Sequence, residues 1–267
     1  MMRYVILFAI VPLSAACTRN AFYQSPFHTN SHPYRTMPLQ SDSSKSTWYA
    51  SGGFSVGSAN ESGKDQIVMF YSSVYRAHNL RNFKAYYGLT GTLGTYEVTP
   101  YANDLTAYNF NPEYINENVG KKSARGAGLI AGGSFVFPFN TGGELRLGLD
   151  GTVQRESGRY LQFRQLVPDS SANVVNKYQT DGTFGMNLDL IGRSRGDGSR
   201  FGWKLSRIVT LNRQLYHPAN FDERIFKSFY LSSTFHYTNQ QITGFLQINL
   251  GSYSSNFQTG VNYRFGK

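Results

Sequence analysis

In three successive segments of residues 226–267 apolar and polar side chains alternate, with a few turn residues between the segments. In the last, Phe257, Thr259, Val261, Tyr263 and Phe265 share one face, and Gln258, Gly260, Asn262, Arg264 and Gly266 share the other. The middle segment sets Ile242, Leu246, Ile248 and Leu250 against Thr243, Gln247 and Asn249. The first sets Phe229, Leu231, Phe235 and Tyr237 against Ser228, Ser232, Thr234 and His236. A period of two makes strands with one apolar and one polar face. Soluble sandwiches alternate as well, so the solvent of the apolar face has to be read from the rest of the chain.

The same alternation recurs upstream. Trp48, Ala50, Phe54 and Val56 alternate with Tyr49, Ser51 and Ser55; residues 66–76 are apolar on both faces; Phe83, Ala85, Tyr87, Leu89 and Leu93 oppose Lys84, Tyr86, Thr90 and Thr92. Residues 127–139 form a glycine-rich strand with Leu129, Ala131, Phe135 and Phe137 on one side. Leu145, Leu147, Leu149 and Val153 then oppose Glu144, Arg146, Asp150, Thr152 and Gln154, and Phe184, Met186, Leu188 and Leu190 oppose Gly185, Asn187, Asp189 and Arg193. Residues 201–211 carry Trp203, Leu205 and Val209 on one face together with Arg207. A cation there costs about 2–4 kcal/mol at a bilayer midplane and little near an interface, so Arg207 is expected near a rim. About ten strands result, with twelve as the alternative if residues 160–167 and 173–179 add a hairpin. Eleven residues at roughly 3.3 Å each, tilted near 40°, span on the order of 28 Å, the height of an apolar membrane band.

Loop lengths settle the solvent. Residues 77–82, 140–143, 194–199 and 238–241 are short connections, whereas those between are mostly long, 97–123, 157–182 and 212–225, with 58–65 and 252–256 at the two ends shorter. Short turns at one end and long loops at the other fit a closed antiparallel, up-and-down transmembrane β-barrel, with both termini at the short-turn end.

The amino terminus is read as an export signal, residues 1–16: Arg3, an apolar run over residues 4–13, then Ser14, Ala15 and Ala16. That run is too short to span a bilayer as a helix. Cys17, the single cysteine, stands where an acylated residue would follow the cut, and it excludes an intramolecular disulfide. Residues 17–46, aperiodic and rich in Ser, Pro, Asn and His, are expected to be a flexible periplasmic tether, leaving 47–267 as the barrel. Charged residues are 16%, aromatics 15%, and the net charge is +10. An exported basic chain points to anionic lipid head groups or surface polysaccharide rather than nucleic acid.

With Leu13-Ser14-Ala15-Ala16-Cys17, the alternation, the loop asymmetry and the terminal Phe265, the chain resembles small outer-membrane β-barrel proteins that begin as lipoproteins. The resemblance covers residues 47–265 and implies a Gram-negative outer membrane, extracellular long loops, and partnership with outer-membrane lipids, lipopolysaccharide and the barrel assembly machinery. Gly266 and Lys267 follow Phe265, where such barrels end on the aromatic.

Glu144, Arg146, Asp150, Asp189, Arg193, Lys204 and Arg264 are expected to face the lumen and pair across it, because an unpaired charge in a partly dry bore is costly. A narrow pore for small solutes is the alternative. In the first long loop Tyr101, Tyr108, Phe110 and Tyr114 lie among Asn, Glu and Lys, a mix that binds polysaccharide or another protein. No cofactor is expected and no spacing suggests a metal site. An enzyme is the weaker reading: of the five histidines, His28, His32, His78, His217 and His236, only His217 lies in an outer loop near acids, Asp222 and Glu223. A rim hydrolase and a soluble lipid-anchored barrel are the remaining alternatives to a structural or adhesive surface protein.

Overall fold

The computed structural model describes residues 21–26, 33–38, 45–60, 64–80, 82–101, 112–140, 142–194, 198–212, 214–216, 224–226, 228–251 and 254–266. Ten antiparallel strands close into a barrel. They are β1 (Ser46–Ala59), β2 (Asp65–Leu80), β3 (Phe83–Val98), β4 (Gly120–Pro138), β5 (Glu144–Ser157), β6 (Thr180–Arg193), β7 (Arg200–Thr210), β8 (Phe229–Asn239), β9 (Ile242–Gly251) and β10 (Ser254–Arg264). Each strand pairs with its neighbours in sequence, and β10 pairs with β1 to close the ring, Thr259 opposite Phe54. No strand edge in the ring is left open, as hydrocarbon requires.

The barrel is apolar outside and polar inside. Leu129, on the outer face, is 62% exposed, whereas Gln258, facing inward on β10, is fully buried. Leu89, Phe135, Met186, Leu246 and Phe257 continue the outward belt around the ring. Thus the oily faces meet lipid and not a second layer of protein. Arg207 points outward on an unbroken β7, three residues from its end, with its guanidinium 5.8 Å from the Phe229 ring. The charge lies toward the long-loop end, as its cost demands.

The expected faces hold, and the strands run longer than the alternation alone marks. β2 extends to Leu80 and β4 begins at Gly120. The twelve-strand alternative is corrected. Residues 159–166 form a helix, α2 (Arg159–Leu166), because Tyr160, Phe163 and Arg164 share one helical face that buries in the loop end of the barrel. A shorter helix, α1 (Glu113–Glu117), lies in the preceding long loop.

The second correction concerns residues 17–46. Instead of standing clear of the barrel, residues 21–26 and 33–38 are packed inside it, Tyr23 and Tyr34 being almost wholly buried. Phe22–Tyr23 pairs in parallel with Val174–Val175, which joins Gln214–Tyr216 and Arg224–Phe226 in a small four-stranded sheet at the long-loop end. Residues 33–38 lie at the other end of the bore. The two described stretches of this threaded segment thus lie at opposite ends of the bore, residues 21–26 at the long-loop end and residues 33–38 toward the short-turn end, where β1 starts.

Replacing Leu129 by Arg puts a cation in mid-belt and is expected to cost about 2–4 kcal/mol. The same change at Phe229, near the rim, is expected to cost about 1 kcal/mol or less. Urea unfolding of each variant in lipid vesicles measures the difference, and equal costs would remove the hydrocarbon assignment.

Candidate functional site

Alternation on β5 carries Glu144 and Arg146 to the same inward face, and β3 brings Lys84 to meet them. Lys84 Nζ lies 2.7 Å from Glu144 Oε1, and the Arg146 guanidinium bonds the same carboxylate. All three are at least nine-tenths buried. Further along, Lys204 Nζ lies 3.3 Å from Asp150 Oδ2, and Asn187 Nδ2 donates to the same oxygen at 3.0 Å. Asp189 pairs with His236 Nε2 at 3.0 Å. Five of the seven expected lumen residues, Glu144, Arg146, Asp150, Asp189 and Lys204, thus face the bore and form pairs. Arg193 and Arg264 instead lie at the short-turn rim, the first exposed and the second half-buried. On β9 and β10 the inward face carries an amide net: Gln247 donates to Gln258 at 2.7 Å, and Asn249 to Asn256 at 2.5 Å.

The threaded segment completes these clusters. Lys84 Nζ donates to the Pro38 carbonyl at 2.5 Å, and Arg146 to the same oxygen at 3.2 Å. Tyr75 donates its hydroxyl proton to the Thr36 carbonyl at 3.0 Å, and Asn262 Nδ2 donates to the Tyr34 carbonyl at 3.2 Å. The Tyr34 ring stacks on His236 at 4.2 Å, and the Arg35 guanidinium sits 5.7 Å from the Tyr86 ring centre. Backbone carbonyls of the segment therefore accept from cations already bonded to the carboxylate, so the plug and the charge cluster stabilise each other.

At the long-loop end the bore closes under an aromatic cap. Tyr96 stacks on Tyr160 at 3.9 Å, and Tyr23 meets Phe163 edge-on at 5.1 Å. Burial pushes the Tyr160 phenol well above its ordinary range, so it remains a neutral hydrogen-bond donor, to the Gln24 carbonyl at 3.1 Å. Asp65 accepts from Tyr96 at 2.8 Å and from the Thr99 amide at 2.8 Å. The Arg164 guanidinium and the Ser25 hydroxyl both bond Glu156. Of the loop aromatics, Tyr101 and Tyr114 are half-buried and pack against this cap, the Tyr114 ring 5.9 Å from Phe163. Tyr108, Phe110, His217, Asp222 and Glu223, like Cys17, lie outside the described residues.

Sequence reasoning missed Tyr34, Arg35, Lys84 and His236 as lumen partners. Lys84 and His236 stand on polar faces that the alternation marks. Tyr34 and Arg35 lie in an aperiodic stretch that carries no such mark. The trace of that stretch was β2, apolar on both faces: its inward Met69 and Tyr71 meet the threaded segment and the cap.

No protein-family model matches the chain, and neither does any curated protein. Among solved structures it is similar to the β-domain of the Bordetella autotransporter BrkA, at 8% identity and TM-score 0.42, over 83% of this chain and 100% of that one. It is also similar to the attachment invasion locus protein Ail of Yersinia pestis, at 10% identity and TM-score 0.28, over 83% and 100% of the two chains. A third is the toluene transporter TodX of Pseudomonas putida, at 10% identity and TM-score 0.34, over 92% and 73%.

Glu144→Gln leaves Lys84 and Arg146 buried around a neutral amide and is expected to destabilise the barrel by about 3–5 kcal/mol. Arg193→Gln, at the exposed rim, is expected to change stability by less than about 0.5 kcal/mol. Urea midpoints in detergent micelles compare the two.

Proposed function

We propose that this protein is a non-enzymatic outer-membrane barrel whose bore is held shut by its own amino-terminal segment and whose work is structural or adhesive, at the long-loop end. The observation that carries this is the filled lumen: residues 33–38 occupy the lower bore, and Tyr23, Tyr96, Tyr160 and Phe163 seal the upper end. A barrel of about eight strands is already filled by its side chains, whereas porin channels use about sixteen. At ten strands the bore is intermediate, and a threaded segment supplies the missing volume. In this reading the long loops face the exterior, and loop residues around Tyr108 and Phe110 bind surface polysaccharide or another protein.

Cys17 is the acylation site in the same reading. Three residues separate it from Ala21, and the four steps span at most about 14 Å, so its acyl chains belong to the leaflet at the long-loop end. A periplasmic tether is thereby replaced by an anchor beside the loops.

In planar bilayers the intact chain is expected to be electrically silent, and a variant lacking residues 18–44 to conduct. Steady conductance by the intact chain would overturn the reading in favour of a narrow pore. A protease site placed between residues 18 and 20 is expected to be cut on whole cells from outside. Cutting only after the outer membrane is opened would reverse the orientation.

A further inference from the structure

The acidic residues on the ten strands are Asp65, Glu97, Glu144, Asp150, Glu156, Asp181 and Asp189, and all but Glu97 are buried. The outer face of β4 and β5 near the long-loop end is, by contrast, cationic. Arg125 and Arg155 are both exposed. Arg125 pairs with Ser157, and Arg155 with Ala127, so the two arginines are diagonal neighbours on adjacent strands. Such neighbours lie about 7–8 Å apart, a separation that two guanidiniums can bridge onto one phosphate group. Among the described residues neither forms an ion pair. Lys121, 3.8 Å from Glu97, lies above them, and the exposed Arg159 opens α2 beside Ser123.

Directly below the arginines the apolar belt is indented. Leu89, Leu129 and Val153 form one row across β3, β4 and β5, and Ala131, Gly151 and Phe184 form the next. These six residues line a depression on the outer face, because Ala131 and Gly151 leave the space that larger residues fill elsewhere in the belt. Val153 is the next outward residue below Arg155 on the same strand, about 6.6 Å along it. A paired cation site thus stands immediately above an apolar groove of the same strands.

We propose that Arg125 and Arg155, with the groove beneath them, bind one phosphate-bearing lipid of the leaflet at the long-loop end, phosphate on the guanidiniums and an acyl chain against Leu129, Val153 and Phe184. Charge complementarity selects the phosphate, and the groove selects a lipid over a free ion. This site goes beyond the closed-bore reading and does not depend on it.

Native mass spectrometry of the folded full chain released from micelles tests the site, with a phosphorylated diacyl lipid and its dephosphorylated counterpart as probes. The phosphorylated lipid is expected to remain bound, and the dephosphorylated lipid to be retained about tenfold less. Arg125→Gln/Arg155→Gln is expected to lower retention of the phosphorylated lipid by a similar factor. Arg125→Lys/Arg155→Lys, which keeps the charge but loses the bidentate fork, should fall between. Equal retention of both lipids by the native chain overturns the proposal, as does an unchanged double Gln variant with intact heat-modifiable mobility. Displacement of the lipid by inorganic phosphate at equal concentration would make it a free-anion site and likewise overturn the lipid assignment.

Discussion

Within hydrocarbon no water is present to satisfy an unpaired peptide group, and closure of the ten strands follows from that single constraint. Closure fixes the register. Once β10 pairs with β1, every outward position is committed to lipid and every inward one to the bore, and a slip by one residue would turn Phe257 inward and Gln258 into the membrane. The apolar belt and the polar lumen are therefore two consequences of one pairing.

A bore of this size creates the second requirement. Its inward side chains are amides, hydroxyls and charges, and groups such as Glu144 and Asp189 are stable there only with partners on every side. The threaded segment meets that need with backbone as much as with side chains. The carbonyls of Pro38, Thr36 and Tyr34 accept from Lys84, Tyr75 and Asn262, groups that would otherwise face an empty channel. Filling the bore and satisfying its donors are achieved by the same few residues.

The strands were legible in the sequence because each residue's face follows from its own position, with no knowledge of the fold. The inward pairs were legible to the same extent: Glu144 and Arg146 share a face by spacing, while their partner Lys84 comes from β3, two strands earlier in the chain, and is set by the registers of β3 on β4 and of β4 on β5. The threaded segment was not legible. It makes no ladder with its sequence neighbours, and Tyr34 finds His236 about two hundred residues later. Helix α2 was hidden for a related reason, since its buried face of Tyr160, Phe163 and Arg164 is too short to show a period and is defined by Tyr96, Tyr23 and Glu156 around it.

Charge segregation gives the net +10 a more specific meaning than a scattered surplus. Inside the bore Lys84, Arg146, Arg164 and Lys204 sit against Glu144, Glu156 and Asp150 and bring those clusters near balance. With the carboxylates of the strands drawn inside, the unmatched cations stand outside or at the rims. Arg125, Arg155 and Arg207 face outward toward the long-loop end, with Glu97 the single acid on the outer face of the strands among the described residues. An outward cation is tolerated only where it reaches head groups, so the height of these arginines marks the edge of the apolar band. Burying the acids thus determines what the barrel presents to the membrane surface: a cationic rim above an oily wall.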